Sequence, residues 1–165
     1  MFYTIDNRTI IRYANEKDVS IILYFIKELA EYEGMLDKVE ATEEILLQTI
    51  FHDKKAEVII CEYDNKPVGF ALFFHNFSTF LGRPGIYLED LYVKPEIRNK
   101  GIGKILLSVL GKIALERNCG RIEWWCLDWN KKSIEFYLGL GAKAMEDWTV
   151  YRVAGNELKS IAELF

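Results

Sequence analysis

Residues 86–127 constrain the fold more than any other part of the chain. The run I-Y-L-E-D-L-Y-V at 86–93 has the pattern of a strand, and Pro95 closes it. Ile105, Leu106, Val109, Leu110 and Ile113 then recur at helical spacing up to about Arg117. Gly120 breaks that helix, and 121–127 again reads as a strand. Strand, helix and strand with no hairpin turn between them predict a parallel pair joined by a right-handed crossover. Neither an all-helical bundle nor a sandwich of antiparallel strands can contain that unit, so the class is α/β.

The remaining segments supply partners for this unit. Thr9–Tyr13 is a β-branched run and reads as the first strand. Asn15 with Asp18 three residues on is a variant of the capping box, opening a helix in which Ile22, Phe25, Ile26 and Leu29 share one face. Lys27, Glu28 and Glu31 fall on the other face, and Gly34 marks the end. Thr42-Glu43-Glu44 opens a second helix to about Phe51. Strands at 57–63 and 68–74 flank the turn D-N-K-P, and a loop S-T-F-L-G-R-P-G leads into 86–93. Asn130 caps a short helix that stops at Gly139 or Gly141, and a strand at 149–153 and a helix from Glu157 follow. With no repeats or linkers, residues 1–165 are expected to form one domain around a mixed sheet.

Bulk properties exclude several function classes. A net charge of −4 and a pI near 5.3 do not provide the basic face that nucleic-acid binding needs. No apolar run has the length of a membrane span, and the first residues do not read as a secretory signal, so a cytoplasmic location is expected. Cys61, Cys119 and Cys126 form no C-x-x-C pair and read as small buried hydrophobes. Two histidines, His52 and His75, with no Cys/His cluster, predict no metal site.

The crossover helix opens with R-N-K-G-I-G-K at 98–104. Two glycines and three cations where a helix begins suit a phosphate, because the first helical amides are unpaired and the helix dipole is positive there. A nucleotide-hydrolase loop would need a glycine at Arg98 and a hydroxyl at Ile105, and this chain has neither. A dinucleotide fingerprint would need its third glycine at Leu106. A third pattern is also present, R-x-x-G-x-G, carried by Arg98, Gly101 and Gly103, in which glycine lets the backbone approach phosphate oxygens closely. Taken alone, the hexamer also fits an ordinary surface turn.

Taken with its surroundings, the chain resembles the GNAT acetyltransferases. The resemblance rests on Y-L-E-D-L-Y-V, R-N-K-G-I-G and W-N-K-K-S-I-E-F-Y-L-G-L-G-A, in that order. K-E-L-A-E-Y-E at 27–33 and S-T-F-L-G-R-P-G-I-Y-L-E-D-L-Y-V at 78–93 are similar to the diamine acetyltransferase branch, which acts on spermidine, spermine or thialysine. It implies a mostly antiparallel twisted sheet flanked by helices, with a central parallel pair that splays. It also implies an acetyl-CoA-dependent N-acetyltransferase acting on a small-molecule amine, without metal, and a homodimer.

By the same resemblance, Arg98, Asn99, Lys100, Gly101, Ile102, Gly103 and Lys104 hold the pyrophosphate. The main chain of Leu91, Tyr92 and Val93 takes the pantetheine arm as an added strand would bind, while their side chains are core. Asn130, Lys132 and Ser133 are further coenzyme contacts. Glu89 is the base, directly or through water, and Tyr137, also near the coenzyme, gives the proton to the leaving thiolate. Glu89 and Asp90 are expected on opposite faces of their strand. Lys27, Glu28, Glu89, Glu123, Trp124, Trp125 and Asp147 line the amine pocket, with Glu33 and Glu146 as further candidates; carboxylates and tryptophan faces suit ammonium groups. The segment after Gly141 is shorter than in the polyamine enzymes and the 78–85 loop has little acidity, so polyamines, thialysine-like amino acids and other small amines stay open. Two other readings remain: a non-catalytic coenzyme-binding module and a protein N-acetyltransferase.

Overall fold

A computed structural model describes residues 2–164. The described residues fall into two compact units that divide between Trp125 and Cys126. The first unit contains a six-stranded sheet in sequential order: β1 (Phe2–Thr4), β2 (Thr9–Tyr13), β3 (Glu57–Tyr63), β4 (Lys66–Ser78), β5 (Arg83–Val93) and β6 (Ile122–Glu123). The first five are antiparallel to their neighbours, and β5 and β6 are parallel.

Helix α1 (Val19–Tyr32) and helix α2 (Glu43–Leu46) pack on one face of this sheet. The second of these continues into a wider π turn, Leu47–His52. Val19, Ile22, Phe25, Leu46 and Ile50 meet Ile60, Phe70, Leu72 and Tyr92 there. On the other face, α3 (Ile102–Glu116) buries Ile102, Leu106, Val109, Leu110 and Ile113 against Ile59, Ala71, Phe73, Ile86 and Leu88. The stripe that predicted the crossover helix is therefore the stripe that packs. Asn15 forms the expected capping box with Asp18. The β3–β4 hairpin turns on Asp64 and Asn65, both at positive φ, as a tight two-residue connection requires.

The second unit holds α4 (Lys131–Gly139), capped by the Asn130 side chain on the Ser133 amide, and α5 (Asn156–Ala162). None of its described residues is buried. No described helix is long and apolar enough to cross a membrane. The Cys61 thiol is pushed up to about 12, chiefly by burial, so it is an inert core group at neutral pH.

Several expectations are corrected. Phe2–Thr4 is a strand before the one read as first. Half of the loop at 78–85 is strand: β4 runs to Ser78 and β5 begins at Arg83, leaving residues 79–82 as the turn. β6 is two residues long rather than spanning 121–127, because its pairing stops at Tyr87↔Glu123. Residues 149–153 form no strand; a β-branched run needs a partner edge, and these residues are exposed. The parallel pair consequently ends the described sheet instead of lying at its centre.

A cross-strand clamp fixes that pair. Asn76 on β4 reaches over Gly85 on β5, and its Nδ2 donates to Glu123 Oε2 at 2.7 Å on β6. Arg121 Nε lies 2.9 Å from the same carboxylate oxygen. A methyl group on Gly85 would collide with Asn76 Oδ1 and come within 2.9 Å of Arg121 Cγ. Gly85→Ala should therefore cost about 1–3 kcal/mol, the usual size of an overpacking penalty. Thermal melts should show the loss, and an unchanged Tm would remove the clamp from the account.

Candidate active site

Strand β5 organises the candidate site. Its register on β4 slips between Leu72 and Phe73, so Leu88 opposes Phe73, Asp90 opposes Leu72 and Glu89 is the extra residue of a bulge. A bulge twists and bends its strand, and here it follows the last β5–β6 pair, Tyr87↔Glu123. Beyond that pair, β5 keeps its bonds to β4 while the described β6 gives it no partner. The main chain of Leu91, Tyr92 and Val93 lies in this stretch, and Leu91 and Val93 pack on the α3 side.

The bulge also changes which side chains face α1. Simple alternation would place Leu88, Asp90 and Tyr92 on one face. Instead Leu88 belongs to the α3 side and Tyr92 to the α1 side, so Asp90, two residues from Tyr92, turns toward α1. The alternation expected at 89–90 is thus broken at Glu89, which is exposed. Burial first, then the charges of Glu89 and Glu33, push Asp90 up to about 7. Burial also raises Glu33, just past the end of α1. Glu33, Glu89 and Asp90 therefore form an acidic group that would welcome an ammonium ion.

Glu28, also on α1, accepts a hydrogen bond from the Tyr92 hydroxyl at 3.0 Å. The Tyr92 side chain is therefore not plain core. An aromatic row continues the site along the sheet: Phe74 lies 5.1 Å from Tyr87, and Trp125 meets Tyr87 edge-on at 5.8 Å. Trp125 is exposed, whereas Trp124 packs against the core on the α3 side. The Glu123 carboxylate is engaged by Asn76 and Arg121, which gives it a structural duty. Lys27 is exposed on α1.

In the loop at 98–104, Asn99 and Gly101 both take left-handed backbone, with φ of 67° and 78°. Gly101 is the cap of α3 and offers no side-chain acceptor to the first amides of that helix. Lys104 is exposed on the first turn of α3, and the exposed Lys100 holds its ammonium 4.7 Å from the Tyr63 ring centre. Arg98 is directed elsewhere: its Nε donates to the Val93 carbonyl at 2.9 Å, and its guanidinium lies 5.2 Å from the Tyr32 ring centre and 5.8 Å from that of Tyr92.

In the second unit, α4 carries Lys132, Ser133 and Tyr137, and the Tyr137 ring lies 5.3 Å from that of Phe136. Glu146 and Asp147 are exposed in the segment that follows. Among the described residues no His/Cys/Asp/Glu group could hold a metal ion. Sequence reasoning left Asp90 out of the site and gave Tyr92 only a main-chain role. The bulge that turns Asp90 inward arises from pairing, and the sole local hint was the unusual acidic pair within an apolar strand.

The fold and the glycine-rich helix start are those of an acetyltransferase. Residues 22–142 match the Acetyltransferase (GNAT) family. The chain is 38% identical to thialysine N-epsilon-acetyltransferase of Sus scrofa, over 93% of this chain and 96% of that one. It is 38% identical to an L-ornithine N5-acetyltransferase of Arabidopsis thaliana, over 68% of this chain and 46% of that protein. An integron cassette protein from the mobile metagenome of V. cholerae superposes with a TM-score of 0.78 at 27% identity, covering 96% of this chain and 99% of its own. The chain belongs to the GNAT acetyltransferase family and is an N-acetyltransferase.

Proposed function

We propose that the protein transfers the acetyl group of acetyl-CoA to a primary amine of a small diamine, with a diamino acid of the thialysine or ornithine type as the first candidate and polyamines as the second. The observation that carries this reading is β5, where one bulge frees a backbone edge on one side and gathers Glu33, Glu89 and Asp90 on the other. The names of the relatives support the choice of amine.

In this reading the amides at the start of α3, with Lys100 and Lys104, hold the pyrophosphate. The pantetheine arm bonds the open edge of β5 at Leu91–Val93, and a β5 amide polarises the thioester carbonyl. Asn130, Lys132 and Ser133 contribute coenzyme contacts. The acidic group on β5 and α1 holds the ammonium, and Trp125 adds a cation–π face. Glu89, exposed at the bulge, receives the proton that the amine must lose before attack, directly or through water. The nitrogen lone pair then adds to the thioester carbon, the C–S bond breaks as Tyr137 gives its phenolic proton to the thiolate, and the second proton leaving the nitrogen restores the phenol, directly or through water. The products are an N-acetylated amine and free coenzyme A.

Incubation with acetyl-CoA and a panel of lysine, thialysine, ornithine and spermidine, read by release of free thiol, tests this. Thiol release with a diamino acid supports the reading, and silence across the panel rejects it. Coenzyme binding with no thiol release would instead identify a non-catalytic coenzyme module.

We also propose a cytoplasmic homodimer. The second unit exposes Trp148, Tyr151, Leu158 and Leu164, and a segment of its size cannot bury such groups in a core of its own. Light scattering on the purified protein should give twice the 19.3 kDa chain mass. A single-chain mass would exclude the dimer.

A further inference from the structure

We propose that Tyr92 is a positioning residue that ties the amine-binding carboxylate Glu28 to the strand receiving the coenzyme. The inference rests on the reading above, in which an acidic group beside β5 holds the amine and the outer edge of β5 takes the pantetheine arm, and it adds Glu28 of α1 to that group. Glu28 is half-buried on α1, and a glutamate side chain left to itself explores many rotamers. Here its carboxylate is held from the sheet: the Tyr92 hydroxyl donates to Oε2 at 3.0 Å from β5.

Tyr92 is 3% exposed, with its ring 5.7 Å from that of Phe25, so the buried phenol sets the geometry. A phenol kept in the core against the desolvation of its hydroxyl needs a partner, and Glu28 is that partner. Behind Tyr92, Arg98 of the α3-start loop bonds the Val93 carbonyl and packs across the Tyr92 and Tyr32 rings. One strand thus references three things to each other: the loop at 98–104, the open backbone edge and the Glu28 carboxylate. An oxygen fixed in this way can place an ammonium group at a set distance from the thioester, which is how a diamine would present one nitrogen and not the other.

The test measures ornithine and coenzyme A binding by calorimetry, together with amine KM, for wild type, Tyr92→Phe, Glu28→Gln and the double variant. Phenylalanine keeps the ring packing, so coenzyme Kd should stay as in wild type. Amine Kd and KM should rise about tenfold, the scale of a lost hydrogen bond to a charged acceptor. Glu28→Gln should weaken the amine by a similar factor, and the double variant should be no worse than the weaker single one, since both remove one interaction. A merely structural Tyr92 predicts a lowered Tm with unchanged amine affinity, and that result overturns the proposal. Additive losses overturn it as well. If wild type binds coenzyme A but no amine of the panel, both the proposed function and this inference fall. If wild type binds the amine while Tyr92→Phe is indistinguishable from it, only this inference does.

Discussion

Replacement of Tyr137 by phenylalanine is expected to slow acetyl transfer by about 10²–10³-fold, the usual contribution of a positioned general acid. The departing group is a thiolate, and a phenol can protonate it at neutral pH because the two pKa values lie close together. Phenylalanine preserves what the ring does structurally. Tyr137 is half-buried on α4 and packs by its ring on Phe136, while the helix start is held by Asn130 on the Ser133 amide, four residues away from the phenol. The substitution should therefore leave coenzyme A affinity nearly unchanged and reduce kcat. The basic limb of the pH–rate profile, where the general acid loses its proton, should disappear with it. Stopped-flow thiol release across pH 6–10 would check both points. Turnover equal to wild type would mean that another group, or solvent, protonates the sulfur.

What could be read from the sequence divides along a physical line. Features made by neighbours in the chain were legible: the Asn15–Asp18 capping box, the apolar stripe of α3, the Asp64–Asn65 turn and the Asn130 cap. Each is decided within a few residues, so local preference and structure agree. Features made by distant pairing were not. The bulge at Glu89 depends on how β5 registers on β4, and a shift of one residue exchanges the faces of every side chain beyond it. Asp90 was therefore assigned by alternation when it in fact turns toward α1. Tyr92 and Glu28 lie 64 residues apart, and Asn76 and Glu123 lie 47 apart, so neither bond leaves a local mark. The shortness of β6 and the missing strand at 149–153 have the same origin, since a strand exists only where another edge accepts it.

Replacing Asp90 by asparagine should stabilise the protein above neutral pH and remove a pH dependence that wild type carries. In the folded state the Asp90 carboxyl is pushed up to about 7 from an ordinary 3.8, by burial first and then by Glu89 and Glu33. The folded protein thus binds more protons than the unfolded chain between those two values. By linkage, the stabilising contribution is complete below the ordinary carboxylate pKa and is lost progressively as pH rises through about 7. Wild-type Tm should accordingly fall between pH 5 and pH 8. Asparagine is neutral at both, so the variant should flatten this slope and gain on the order of 2 kcal/mol at pH 8. A wild-type Tm that is level across the interval would show that Asp90 ionises normally. The same group predicts a proton released on amine binding. An ammonium ion seated beside Glu33 and Asp90 favours the carboxylate, so at pH 6.5–7 Asp90 should ionise as the ligand arrives. Calorimetric titration with ornithine in two buffers of different ionisation enthalpy should reveal the release in wild type and its loss in Asp90→Asn, together with weaker amine binding. Equal proton release in both proteins would assign the titration to another carboxylate, and no release in either would place the amine away from this acidic group.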